Sequence, residues 1–153
     1  MAFRNLKLDT GLRRLCNETG HLLTKYKSVT LDSGNNNTFT LSINNIMDNK
    51  VKIVTSYKYP FQKPDIFVND MEYSKFLKLD HFGKFLLTTH FNTDSLYKDC
   101  LINNWVSITD LGQVLEEFES LCFIKEIINK IKYCLLIKHK YLVNDIPLEK
   151  YLL

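Results

Sequence analysis

The sequence predicts an α+β fold in which an N-terminal helix and a long C-terminal helix pack on an antiparallel meander of four strands. Three observations lead to this prediction: an amphipathic stretch over about residues 9–26, four short apolar runs between residues 29 and 68, and an apolar stripe from Leu111 to Leu135. With 153 residues, of which 45% are hydrophobic, the chain can form its own core. We therefore predict a single domain over residues 1–153.

The first helix is predicted from apolar residues that recur at steps of three and four. Such spacing places one face of a helix against a core, because 3.6 residues make one turn. We expect Asp9 or Thr10 to cap its first turn. The residues of the apolar face are Leu12, Leu15, Cys16, Thr19, Leu22 and Leu23.

The four strands are predicted from short runs of alternating apolar residues. The runs cover residues 29–31, 39–43, 51–57 and 66–68. Polar turn sequences at residues 32–37 and 44–49 join the first three runs, and connections this short make neighbouring strands antiparallel. The prolines of residues 59–64 lack backbone N–H donors, so the chain must leave the sheet there before the fourth strand.

Two helical segments follow the sheet. Residues 69–89 form an insert that is too apolar for a solvated linker, and within it we expect a short helix near Tyr73 and Phe76 with Asp70 as its cap. The long helix begins a helical region from about residue 109, with Ser107 or Thr109 as its cap. Pro147 suits the first turn of a short terminal helix through residue 153.

Composition and charge argue against several classes of function. The formal net charge is +3 and no dense basic run is present, so we predict no nucleic-acid binding. Lysines and a glutamate interrupt the most apolar run, residues 121–137, so we predict no membrane span. The four histidines show no metal-ligand spacing, and the few glycines form no phosphate loop, so we expect no metal site and no cofactor.

The cysteine pattern predicts a reducing compartment. None of the four cysteines stands in a C-x-x-C pair, and the first residues lack the apolar stretch of a signal peptide. We therefore expect an intracellular protein, cytoplasmic or nuclear. The cysteines are Cys16, Cys100, Cys122 and Cys134.

Two segments resemble hallmark loops of the ubiquitin-conjugating family. Tyr59-Pro60-Phe61 matches the family's Tyr-Pro-Phe, and Pro64 keeps one of its two following prolines. The predicted order of helix, meander, proline loop, strand and long helix is also the order of that fold. The resemblance covers roughly residues 10–125 and implies a ubiquitin-conjugating-like domain.

The resemblance also implies a candidate catalytic segment. His90-Phe91-Asn92 is similar to the family's His-Pro-Asn, whose asparagine stabilises an oxyanion. Cys100 lies ten residues after His90, as the family's nucleophile does, and Leu101 matches the following leucine. However, Cys100 is only five residues before Trp105, whereas the family separates them by about eight, which places Tyr97 at the nucleophile's position.

Three hypotheses about function follow. The first is a non-catalytic domain that binds ubiquitin, a ubiquitin ligase or an assembly partner through loop residues. The second is an enzyme in which Cys100 is the thioester nucleophile, Asn92 stabilises the oxyanion and His90 supports the loop. This hypothesis predicts that Cys100 is exposed and lies within about 8 Å of Asn92. Whether the chain is an enzyme stays open. The expected partner-binding residues are Tyr59, Pro60, Phe61, Pro64, Ser107 and Ile108.

The third hypothesis is a structural subunit of a larger assembly, for instance a virion. The insert at residues 69–89 and the long helix carry more apolar residues than a minimal conjugating domain would bury. We expect the insert to cover the long helix or to pack against another chain.

Overall fold

A computed structural model of the chain describes the backbone of residues 6–138 and the side chains of residues 11–136. Its architecture is α+β, with an N-terminal helix, a five-stranded antiparallel sheet and a C-terminal helix. The strand order is β1-β2-β3-β4-β5. The elements are α1 (Leu6–Lys25), β1 (Val29–Ser33), β2 (Phe39–Ile46), β3 (Asn49–Thr55), β4 (Asp65–Val68), β5 (Met71–Glu72), α2 (Tyr73–Phe76), α3 (His81–Phe91) and α4 (Leu111–Lys138).

The four predicted strands are confirmed, but the sheet has a fifth strand that the sequence analysis did not predict. The missed strand, β5, has two residues and pairs with β4 through Phe67–Glu72 and Val68–Met71. The turn between them consists of Asn69 and Asp70, which both have positive φ. This geometry suits a tight hairpin, and asparagine and aspartate tolerate it better than most residues. Asp70 therefore lies in a turn, and the prediction that it caps the next helix is wrong.

The sheet buries one face against the two long helices. Alternate residues of the central strands point into the core, as the period of a strand requires. Phe118 of α4 is 1% exposed and makes ring contacts with Tyr73 and Phe76. The fully buried side chains of the sheet and of α4 include Leu41, Ile43, Val51, Ile53, Val68, Leu111, Val114 and Leu115.

The helix starts differ from the predicted ones. Helix α1 begins at Leu6, so Asp9 and Thr10 lie inside it and do not cap it. At the start of α4 the backbone N–H of Gln113 donates to Asp110 Oδ1 at 2.7 Å, and Gln113 Oε1 accepts from Asp110 N–H at 3.1 Å. This reciprocal pair is a capping box. The caps predicted at Ser107 and Thr109 are therefore wrong.

The predicted insert forms β5, α2 and most of α3. Helix α2 corresponds to the predicted short helix, whereas α3 was not predicted. Phe82 and Leu86 of α3 pack against Ile128 of α4, so the insert covers part of the long helix, as expected. Asp80 caps α3 by accepting a hydrogen bond from Gly83 N–H at 2.7 Å. The terminal helix predicted from Pro147 lies outside the described residues.

Within residues 6–138, no helix combines the length and apolar character that crossing a membrane requires.

Candidate protein-binding surface

Arg14 of α1 connects the N-terminal helix to the loop that precedes α4. Its guanidinium donates hydrogen bonds to the backbone oxygens of Ser107 and Thr109. The same group forms an ion pair with Glu18 at 3.0 Å and lies 5.6 Å from the centre of the Tyr59 ring. We call residues 105–110 the Trp loop and residues 56–64 the proline loop. Arg14 therefore contacts both loops.

Glu18 and Tyr59 form a buried hydrogen bond beside Arg14. The Tyr59 hydroxyl donates to Glu18 Oε2. Burial raises the pKa of the Glu18 carboxyl, while the hydrogen bonds from Tyr59 and Arg14 act in the opposite direction. Burial and the neighbouring carboxylate also raise the pKa of the Tyr59 phenol. The pair is thus a structural link between α1 and the proline loop.

Two further contacts hold the proline loop in place. The indole N–H of Trp105 donates to the backbone oxygen of Pro60 at 2.8 Å, and the Trp105 and Tyr59 ring centroids lie 6.0 Å apart. Gly11 of α1 faces the backbone oxygen of Tyr59 so closely that a Cβ atom at Gly11 would collide with it. Both loops are therefore fixed against α1 and against each other.

Each fixed loop presents large apolar side chains to solvent. Phe61 in the proline loop is 71% exposed, and Ile108 in the Trp loop is 85% exposed. Tyr57 and Val106 are also exposed. Phe61 directly follows Pro60, and Ile108 directly follows Ser107, so each exposed side chain adjoins a residue that the hydrogen bonds restrain. Exposed aromatic and aliphatic side chains on a restrained backbone are frequent anchors in protein interfaces.

The structure separates the predicted partner-binding residues into two groups. Phe61 and Ile108 are accessible, as the prediction requires. Tyr59, Pro60 and Pro64 are buried, so the expectation that their side chains contact a partner is wrong. The side chain of Tyr59 is used inside the domain, where it contacts Glu18 and Trp105. Ser107 is half-buried and offers its backbone oxygen to Arg14.

Cys100 does not have the exposure that a thioester nucleophile requires. The side chain is 2% exposed and belongs to the main hydrophobic core. Burial raises the pKa of its thiol, and the Glu117 carboxylate acts in the same direction. A raised pKa lowers the fraction of thiolate, which is the reactive species. The exposure of Cys100 that the enzyme hypothesis predicted is therefore wrong.

His90 and Asn92 form the end of a helix. His90 lies in the last turn of α3, and Asn92 is the C-cap in the left-handed conformation, with φ 58° and ψ 32°. The backbone N–H of Asn92 bonds to Thr88 O at 3.2 Å, as is common at helix ends. His90 lines an apolar groove with Ile127 and Ile131 of α4, and Cys100 is not among the groove's residues. This segment is therefore not the loop that the resemblance implied.

Tyr97 occupies the position at which the family's spacing places the nucleophile. It is half-buried, and its ring packs edge-on against Tyr73 with centroids 6.1 Å apart. Among the described residues, no cluster of three histidine, cysteine or acidic side chains is arranged to hold a metal ion.

The sequence interpretation missed Arg14 and Glu18, the residues that organise the surface. A signal was present, because Glu18 stands between Leu15 and Leu22 at steps of three and four and thus lies on the apolar face of α1. A carboxylate on an apolar face needs a partner, and Arg14 precedes it by four residues. The exposure of Val106 and Tyr57 was not predicted, because exposure depends on the path that the loops take in the fold.

Scans of the chain against protein-family models, curated proteins and solved structures found no match.

Proposed function

We propose that this chain is a non-catalytic ubiquitin-conjugating-like domain that binds a protein partner through Phe61 and Ile108. The observation that carries the proposal is the contrast between these exposed side chains on fixed loops and the buried Cys100. The order of helix, antiparallel meander, proline loop and long helix supports the likeness to that fold. The expected partner is ubiquitin or a ubiquitin ligase, in a cytoplasmic or nuclear compartment.

Partner binding is supported by the physical character of the two loops. Burying a large apolar side chain stabilises a complex by about 1.5–3 kcal/mol. A partner gains most of that energy when the loops need no ordering on binding. Lys58 and Lys63 are exposed on the proline loop, so the apolar contact has a basic margin. This combination fits a partner surface with an apolar depression and acidic residues around it.

A binding experiment tests the proposed surface. Isotope-labelled ubiquitin and a purified ubiquitin-ligase domain are each titrated with the chain, and the shift of their NMR signals is followed. We expect binding to one of them, with a loss of at least tenfold in affinity for Phe61→Asp and Ile108→Asp. Leu23→Asp is the matched control, since Leu23 is exposed on α1 outside both loops. Equal binding by all three variants would refute the assignment of this surface.

The enzyme hypothesis has its own experiment. The chain is incubated with ubiquitin, ubiquitin-activating enzyme and ATP, and adducts are separated with and without reductant. We expect no reductant-sensitive adduct, because the Cys100 thiol is buried and has a raised pKa. An adduct on the wild-type chain that disappears in Cys100→Ala would establish conjugating activity and overturn the non-catalytic proposal.

A further inference from the structure

A cleft lies between the Trp loop and the first half of α4. Its volume is about 510 Å³. The loop contributes apolar side chains to the walls, and α4 contributes polar and acidic ones. We call it the acidic cleft, and its lining includes Leu101, Val106, Ile108, Glu116 and Glu117.

The carboxylate of Glu117 can accept more hydrogen bonds than the domain supplies. Both of its oxygens accept from one donor, the backbone N–H of Leu101, at 3.0 and 3.2 Å. A carboxylate has room for about four such bonds. Burial raises the pKa of this carboxyl, and the bond from Leu101 offsets that effect only in part. A cation in the cleft would therefore stabilise the ionised side chain.

Glu116 gives the cleft a second carboxylate. It is exposed, and its carboxylate has no hydrogen-bond or ion-pair partner in the part of the chain that the structure describes. Glu119, the third glutamate in this part of α4, is by contrast paired with Lys25 and Tyr26. None of the described residues that line the cleft is a lysine, an arginine or a histidine. The charge of the cleft is therefore negative, and a positively charged group is complementary to it.

The apolar walls of the cleft favour an arginine over a lysine as its occupant. Val106 is 54% exposed and Ile108 is 85% exposed, so both offer apolar surface beside the carboxylates. The guanidinium of arginine is planar and weakly hydrated, and it can donate two parallel hydrogen bonds to a carboxylate while its stem packs on apolar side chains. The ammonium of lysine is more strongly hydrated, so it loses more when it leaves water.

We propose that the acidic cleft binds an arginine side chain of the protein partner. The guanidinium pairs with Glu117 and Glu116, and the aliphatic stem packs against Val106. This inference rests on the proposed function, because Ile108 belongs both to the cleft and to the proposed binding surface. It adds a requirement for the partner, which must carry an arginine next to the site that receives Ile108. The acidic residues expected opposite the lysines of the proline loop then lie on the other side of that site.

Small probes test the cleft without any partner. The chain is titrated with N-acetyl-arginine methylamide, with its lysine analogue and with its citrulline analogue, which has nearly the shape of arginine but no charge. The reporter is the NMR signal of the Leu101 amide, whose N–H is bonded to Glu117. We expect a saturable shift and the tightest binding with the arginine probe. No saturable shift with that probe, or binding of either analogue that is as tight, would overturn the proposal.

Variants test the roles of the two carboxylates. Glu117→Gln keeps an acceptor for the Leu101 N–H but removes the charge, so it should weaken binding of the arginine probe roughly tenfold. Glu116→Gln, at an exposed position, should weaken it roughly two- to fivefold. Glu126→Gln is the matched control, because Glu126 is exposed on the same helix and does not line the cleft. Equal affinity in all three variants would refute the pairing with these carboxylates.

The probe experiment and the partner experiment can fail separately. If the arginine probe does not bind but Phe61→Asp still weakens the partner, the proposed binding surface stands and the arginine site is refuted. If both inferences are correct, Glu117→Gln should also weaken the ubiquitin or ligase complex roughly tenfold, whereas Glu126→Gln should leave it unchanged. A complex that is insensitive to Glu117→Gln would show that the partner places no arginine in the cleft, and would overturn the proposal.

Discussion

The phenol of Tyr59 donates a hydrogen bond to the buried carboxylate of Glu18, across the boundary between α1 and the proline loop. Replacing Tyr59 by phenylalanine removes the donor and leaves the carboxylate with fewer partners in a site away from water. A buried polar group without its partner costs about 1–3 kcal/mol. We expect Tyr59→Phe to lower the free energy of unfolding by that amount in urea denaturation. Tyr57→Phe, at an exposed tyrosine of the same loop, should change it little.

Gly11 and Gly20 are both in α1 and should respond oppositely to alanine. At Gly11 a Cβ atom would collide with the backbone oxygen of Tyr59, whereas at Gly20 no atom lies within 4 Å of the added Cβ. Gly11→Ala should therefore destabilise the chain by about 1–3 kcal/mol, as overpacking does. Gly20→Ala should stabilise it by about 0.5–1 kcal/mol through helix propensity. Thermal melts of the two variants measure both effects, and equal shifts would contradict the close contact.

The cysteines should separate into two reactivity classes. Cys16 and Cys134 are exposed, whereas Cys100 and Cys122 are buried. Burial raises the pKa of Cys122 to about 11 and also raises that of Cys100. A disulfide reagent at neutral pH should therefore modify two thiols quickly in the native chain and all four in denaturant. Peptide mapping that finds Cys100 modified as fast as Cys16 would show that it is accessible after all.

Asp80 should contribute a pH-dependent part of the stability. The hydrogen bond from Lys132 lowers the pKa of the Asp80 carboxyl, and the bond from Gly83 N–H acts in the same direction. The folded pKa is thus below the unfolded value of about 3.9, so the contribution is present above about pH 4 and is lost as pH falls through the folded pKa. Asp80→Asn keeps a capping oxygen but not the charge. Its stability deficit should be present at pH 6 and shrink towards pH 2; a constant deficit would exclude the ionic contribution.

The strands and long helices were predictable because each has a local cause in the sequence. Alternating apolar residues predicted β1 to β4, and apolar residues at steps of three and four predicted α1 and α4. Helix α3 was missed because Asp80 was not recognised as the residue that caps its first turn through Gly83. The two-residue strand β5 was missed because Asp70 of the turn that joins it to β4 was interpreted as a helix cap.

The candidate site was less predictable than the fold. Phe61 and Ile108, which were predicted to bind a partner, are both exposed. The enzyme hypothesis also required Cys100 to be exposed, because a cysteine ahead of a tryptophan loop resembles a family motif. The core position of Cys100 follows from packing that its neighbours in the sequence do not encode. Arg14 was missed because its hydrogen bonds reach residues more than ninety positions away.

The contact between Arg14 and the Trp loop determines which residues of this surface can be mutated without loss of stability. Arg14 holds that loop through the backbone oxygens of Ser107 and Thr109, so the identity of the intervening Ile108 does not matter to the attachment. Trp105 likewise holds the proline loop through the backbone oxygen of Pro60 and leaves Phe61 uninvolved. Mutation can therefore exchange both outward side chains without disturbing the interior. Substitution of Phe61 and Ile108 should therefore change the exposed surface of both loops while the stability of the chain stays nearly constant.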